Sequence, residues 1–186
     1  MAECMAALGK FHPQVSLSAV HGSEQNPSLD YLKRDVADIV IMPSTILDDH
    51  YLEHLHWFDT YVLVTAKHPP GVQPTFAQLA ETVRYVAWRH AGVEALHTQL
   101  NNAQVRLSHR GELSCVETLL DLVKKGQCMS ILPRTLLPLN DGSFDCLPLP
   151  VTVERRISVI ARPVSLMSNA ANAVMDALRQ ATRPAG

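Results

Sequence analysis

Hydrophobic positions along this chain follow two periods that take turns. Val116, Leu119, Leu120 and Val123 repeat at helical spacing, Ser114 and Glu117 stand as a capping box before them, and Gly126 follows Lys124 and Lys125. The spacing predicts a helix with both ends marked. Cys128 to Leu132, stopped by Pro133, is too short for a helix and predicts a buried parallel strand, so Glu112 to Leu137 reads as half of a βαβ unit.

The same alternation runs through the rest. Met5, Leu8 and Phe11 predict a helix from Met1 to Phe11, and alternating Val15, Leu17 and Ala19 predict a strand over Val15 to Val20, ended at His21-Gly22-Ser23. Asn26-Pro27 opens a second helix with Leu29, Leu32 and Val36 as its buried stripe. Ala37 to Met42 is a β-branched run of the kind covered on both faces, whereas Ser44 to His56 is polar and irregular. Tyr61 to Ala66 forms the next strand before the break at His68-Pro69-Pro70-Gly71. Beyond it, Thr75 and Gln78 form a second capping box, Tyr85 to Trp88 a short strand, and Val93, Leu96 and Leu100 a helix. Val105, Leu107 and His109 alternate as a strand, Phe144 to Leu149 and Arg156 to Ala161 make two more, and a last helix carries Leu166, Ala170, Val174 and Leu178 on one face. Helices and strands in alternation predict the α/β class.

Composition narrows the function classes. At 186 residues with 47% hydrophobic and 18% charged positions, the chain can bury a core and is too apolar for disorder. Its 16 basic and 18 acidic residues are scattered, without the clustered Lys and Arg that a duplex-binding face needs. No apolar run is long enough to span a bilayer, and no charged segment followed by an apolar one opens the chain, so a cytoplasmic protein is expected. Cys4, Cys115, Cys128 and Cys146 lack metal or redox spacing and read as free thiols in a reducing compartment, with Cys115 and Cys128 expected to be buried. No GxSxG, P-loop, GxGxxG or HExxH motif supports an enzyme. Asp48, Asp49, His50, His54 and His56 lie in a polar stretch without ligand spacing and are expected to be solvated, so neither metal nor cofactor is expected.

The order of these landmarks resembles the effector-binding domain of LysR-type transcriptional regulators over essentially the whole chain. Phe11-His12-Pro13-Gln14-Val15 is similar to that family's F-x-P-x-V step, and Leu32 to Ile41 to its L-x-x-G-x-L-D-hydrophobic run, with Asp38 matching and Asp35 standing where Gly is usual. His68-Pro69 sits at its HP turn, Thr75 to Ala80 is similar to its next short helix, and Glu117 through Gly126 to Pro133 resembles its helix, glycine and strand, although Cys128 replaces a second glycine.

The resemblance implies a type II periplasmic-binding-protein-like fold: two Rossmann-like subdomains joined by two crossing strands, with a small-molecule effector in a cleft. Residues 1–66 plus 163–186 would form subdomain I and residues 67–162 subdomain II, Tyr61 to Ala66 and Ile157 to Ala161 serving as crossovers. It further implies a homo-oligomer, dimer or tetramer, that reaches DNA only through an N-terminal winged helix-turn-helix with no counterpart in these residues. The family's first strand and its Ser/Thr-rich turn likewise have no counterpart here. A solute-binding protein of the same fold is the first alternative, which the lack of a signal segment disfavours, and a small enzyme on that fold is the second, which the lack of catalytic motifs disfavours.

Carried over position by position, the resemblance implies ligand contacts at Ser23, at Pro43-Ser44, at Trp88 and Arg89, and at Ser114-Cys115. Ser114 is also explained by capping alone, and Trp88 by core packing. Arg89 would favour a carboxylate effector.

Overall fold

In the computed structural model, which describes residues 2–138 and 142–181, helices and strands follow one another along the whole chain. The order is α1 (Ala2–Phe11), α2 (Asp30–Lys33), β1 (Ile39–Pro43), β2 (Leu52–Ala66), α3 (Phe76–Thr82), β3 (Tyr85–Trp88) and α4 (Val93–Asn102). It continues with β4 (His109–Leu113), α5 (Val116–Lys124), β5 (Ser130–Pro133), β6 (Phe144–Pro148), β7 (Glu154–Ala161) and α6 (Asn169–Ala181). Met1 and the last residues of the expected subdomain I, 182–186, lie outside the described residues.

Contacts group the chain into two compact units, residues 1–23, 27–57 and 156–186 in the first and 24–26 and 58–155 in the second. The dividing points fall inside β2 and β7. In the first unit β7 lies between β1 and the opening part of β2, with β1 antiparallel to it from Ile39↔Ala161 to Pro43↔Ile157. Val159 and Ala161 face Cys4 and Leu8 of α1 and Ala173, Met175 and Leu178 of α6, whereas Ile160 faces Leu32, Met42 and Tyr51. One residue's shift along β7 thus exchanges one core for the other.

The second unit is the more completely buried. Tyr61 and Leu63 of β2, Tyr85 and Ala87 of β3 and Ile131 of β5 pack with Leu79, Val93, Leu96 and Leu100 from α3 and α4. The alternate residues Val62, Val64, Trp88 and Leu132 pack instead with Leu119 and Val123 of α5. β2 is flanked by β5 and β6, both antiparallel to it, while β3 and β4 run parallel and are joined through α4. Asp145 of β6 fixes the turn after β2, accepting from the Lys67 Nζ at 2.6 Å and from the His68 N–H and ring Nδ1, each at 2.9 Å. Burial alone would raise the Asp145 pKa, but these hydrogen bonds hold it down to about 2.

Several expected elements differ, each for a local reason. Val15 to Val20 has no ladder partner; Val15 and Leu17 still turn inward toward the α1–α6 core and Ser16 and Ser18 outward. The second helix shrinks to α2 and leaves Val36 64% exposed, because Asp35 adopts φ 56°. The Val36 N–H then bonds the Tyr31 carbonyl and the Asp35 N–H the Leu32 carbonyl, a Schellman ending with Asp in the glycine position and its carboxylate paired with Arg162. Gln104 at φ 58° ends α4 in the same way, so Val105 packs back as the hydrophobic residue of that cap and β4 starts only at His109. Gly126 at φ 69° supplies the third such ending, here with the residue that adopts it freely.

Polar Glu53, His54 and His56 lie inside β2, which starts at Leu52 rather than at Tyr61. β1 is an edge strand with Ile41 37% exposed, so it is not covered on both faces, and its last residue, Pro43, is tolerated there because an edge needs no further donor. β5 pairs antiparallel with β2; only Met129, just before it, bridges in parallel to Tyr85. Ser168, whose Oγ accepts from the Ala171 N–H, stands just before α6, leaving Leu166 66% exposed in a preceding 3-10 turn and turning Ala171, Met175 and Leu178 inward.

Leu63→Ala removes a fully buried side chain and is expected to cost about 2–5 kcal/mol. Leu166→Ala should stay within about 0.5 kcal/mol of the parent, the value for an exposed position. Urea denaturation of both variants distinguishes the observed core from the helix face expected from spacing.

Candidate functional site

Parallel pairing of β3 with β4 brings the ends of both strands together. The Arg89 N–H donates to the Leu113 carbonyl at 2.8 Å, and the Trp88 indole donates to the Ser114 carbonyl at 3.3 Å. This places Trp88, Arg89, Ser114 and Cys115 side by side where strands give way to helices, the position at which open α/β sheets hold ligands. Trp88 is 2% exposed and forms the floor; Ser114 and Cys115 are exposed. The Arg89 guanidinium is exposed and, among the described residues, makes a long ion pair, Nε to Glu112 at 3.7 Å.

Ser114 does not cap α5. The N-cap is Cys115, with no side-chain cap bond, because β4 keeps pairing through Leu113 and the helix therefore opens one residue later than the Ser114–Glu117 spacing predicts. The Cys115 thiol is also exposed rather than buried; it donates to Glu117 and accepts from Thr118, each at 3.2 Å.

Beneath these residues lies a polar cluster that no motif announces. His90, 6% exposed, stacks on Trp88 at 4.5 Å between ring centres and on Tyr61 at 5.9 Å. Its Nδ1 accepts from the Gly92 N–H at 3.0 Å, so the neutral ring carries its proton on Nε2, toward the Tyr61 hydroxyl 3.4 Å away. Arg155 lies 5.7 Å from the Trp88 ring centre and is held by buried Asp59 through Nε at 3.3 Å and Nη2 at 3.2 Å. Asp59 further accepts from the Thr135 N–H at 3.2 Å and from its hydroxyl. Burial, reinforced by Arg155 and His97, lowers the His90 pKa to about 4, and burial raises that of Tyr61 to about 12. The sequence signal for this cluster was available in principle: an Asp within a long strand must find partners once the strand is buried.

In the first unit Pro43 closes β1, and Ser44, which follows it, is exposed. The Ser44 N–H donates to the Arg156 carbonyl at 3.0 Å, and its Oγ lies 2.6 Å from that of buried Ser158. Ser158 donates to Glu53, which also takes Arg156 and lies 3.1 Å from His56 Nδ1. The hydrogen bond from Ser158, together with Arg156, lowers the Glu53 pKa. Ser23 is exposed and precedes Glu24, whose carbonyl accepts from the Ala91 N–H at 2.9 Å. Of the three histidines expected to be solvated, His50 is exposed, whereas two are engaged: His54 Nε2 meets the Arg162 carbonyl at 2.8 Å, and His56 meets Glu53 and Arg156. Among the described residues no group of His, Cys, Asp or Glu could hold a metal ion, and no helix is long and apolar enough to cross a membrane.

A family model described as the LysR substrate binding domain matches residues 1–183 of the chain. The chain belongs to this family. Solved structures agree in fold at low identity. The effector-binding domain of QuiR in complex with shikimate superposes with a TM-score of 0.73 at 15% identity, covering 96% of this chain and 88% of that one. A reduced form of OxyR from N. meningitidis gives 0.70 at 19%, covering 97% and 88%. HinK, a LysR family transcriptional regulator from Pseudomonas aeruginosa, gives 0.75 at 13%, covering 97% of this chain and 64% of that longer one. No curated protein matches the sequence. This LysR-family chain therefore has the type II periplasmic-binding-like α/β fold and the ligand-sensing, regulatory role of its family.

The His90 environment sets a pH dependence. Folding lowers the His90 pKa from 6.5 to about 4, so between those values the unfolded chain binds the extra proton and stability falls as pH falls. The slope from this group is at most about 1.4 kcal/mol per pH unit. Urea denaturation between pH 7 and pH 4.5 should show that slope in the parent and lose most of it in His90→Gln.

Proposed function

We propose that this LysR-family domain senses a small carboxylate effector, which Arg89 engages beside the start of α5. The observation that carries this reading is Arg89 itself: an exposed guanidinium directly after a strand end, tied among the described residues by a long 3.7 Å ion pair that an incoming carboxylate can replace. A guanidinium offers a carboxylate two parallel N–H donors, a geometry that a lysine cannot match. Ser114 and Cys115 contribute polar contacts at the same strand ends over the Trp88 floor, and Ser23, Pro43 and Ser44 are the corresponding candidates in the first unit. Residues 1–66 together with 163–186 serve as subdomain I, and residues 67–162 as subdomain II.

The domain acts by binding, without catalysis, in the cytoplasm. Effector binding shifts the balance of conformational states by no more than its differential affinity for them. A homo-oligomer, dimer or tetramer, passes the shift to DNA through winged helix-turn-helix domains outside these residues.

Calorimetry against a panel of small carboxylates is expected to find a ligand whose affinity falls at least tenfold, about 1.4 kcal/mol, in Arg89→Ala. Unchanged affinity in that variant rules out the carboxylate contact. Sedimentation at micromolar concentration should show a dimer or larger species, and a monomer counts against the proposed transmission.

A further inference from the structure

The hydrogen bonds behind Ser44 have a direction. Glu53 is flanked by Arg156 and by His56 Nδ1, and a carboxylate so placed is ionised and can only accept. Ser158, 1% exposed and opposite Met42 in the β1–β7 ladder, spends its single hydroxyl proton on Glu53. A hydroxyl has one proton and two lone pairs, so toward Ser44, 2.6 Å away, the Ser158 oxygen can only accept. The proton of that short bond therefore belongs to Ser44. Its backbone N–H is already committed to the Arg156 carbonyl, which holds the residue in place.

We propose that Glu53, acting through Ser158, fixes the exposed Ser44 hydroxyl as a pure acceptor, so that Ser44 selects ligands presenting a hydrogen-bond donor, a hydroxyl or an ammonium group. This rests on Ser44 being a ligand contact, as proposed above. It narrows the ligand class at Ser44 to molecules that present a hydroxyl or ammonium group, and it disfavours ethers. Glu53 and Ser158 are positioning residues: neither needs to touch the ligand. The lowered pKa of Glu53 is consistent with the carboxylate state that the chain of bonds requires.

The proton order can be read in the ligand-free protein. Neutron diffraction from deuterated crystals should place the Ser44 deuteron toward Ser158 and the Ser158 deuteron toward Glu53; the reverse order on either bond overturns the proposal. Calorimetry of the whole chain then uses hydroxylated carboxylic acids, shikimate and quinate, beside their mono-O-methyl ethers. Methylation of the hydroxyl that meets Ser44 should weaken binding at least tenfold in the parent. In Ser158→Ala the Ser44 proton is released to serve an ether oxygen, and the penalty should fall below threefold, with thermal melting confirming that the variant folds. An equal penalty in parent and Ser158→Ala overturns the relay even where Arg89→Ala shows that the carboxylate contact is real. Unchanged affinity and unchanged preference in Arg89→Ala and Ser44→Ala alike, with the deuterons as expected, point instead to failure of the site assignment and remove the selectivity claim with it.

Discussion

Consecutive residues of β2, Tyr61 to Val64, are buried on alternate faces of the second unit's sheet, and most of the structure follows from that register. Tyr61 and Leu63 belong to the core under α3 and α4, Val62 and Val64 to the core under α5. Because successive side chains of a strand point to opposite faces, no one-residue slip preserves both cores. The same strand hydrogen-bonds β5 on one edge and β6 on the other, and its earlier part belongs to the first unit. A strand that serves in both units cannot shift without disturbing both.

The polar groups near strand ends depend on that fixed frame. Asp59 precedes the buried run of β2 and is itself buried, which is tolerable only because Arg155 and Thr135 reach it. Ion pairs of this kind contribute little net stability but are costly to break, so they define geometry more than they strengthen it. Arg155 in turn lies against Trp88, which packs on His90, and together they form a packed base beneath the exposed Arg89, Ser114 and Cys115. Such a base bears on sensing only as far as the contacts above it differ between states, since a ligand biases states through its differential affinity for them. The first unit uses the same device with different residues, Glu53 and Ser158 behind Ser44.

Local patterns made much of this readable from residues alone. The Thr75–Gln78 capping box and the stripe of Val93, Leu96 and Leu100 stand where periodicity places them, because each depends on interactions within a few residues, and the short strand at Tyr85 to Trp88 also stands where its pattern puts it. Failures arose where a distant partner decides. Val15 to Val20 alternates like a strand yet finds no ladder, and β2 extends back through Glu53, His54 and His56 because β7 offers it an edge. Asp35 and Gln104 take the left-handed conformation usually signalled by glycine; the resemblance marks Asp35 as a usual glycine position, whereas no local signal marks Gln104. The candidate residues were placed through resemblance, while the polar groups behind them, Asp59 with Arg155 and Glu53 with Ser158, are linked over long sequence separations that no spacing rule reaches.

If β2 is the element on which both cores depend, its central amides open only when the whole domain unfolds. Native-state hydrogen exchange measures this residue by residue. The amides of Val62, Leu63 and Val64 should exchange with the free energy of global unfolding and share its denaturant dependence, ahead of those in the edge strand β1. Exchange of the β2 amides through local openings, as fast as at β1, would contradict the account.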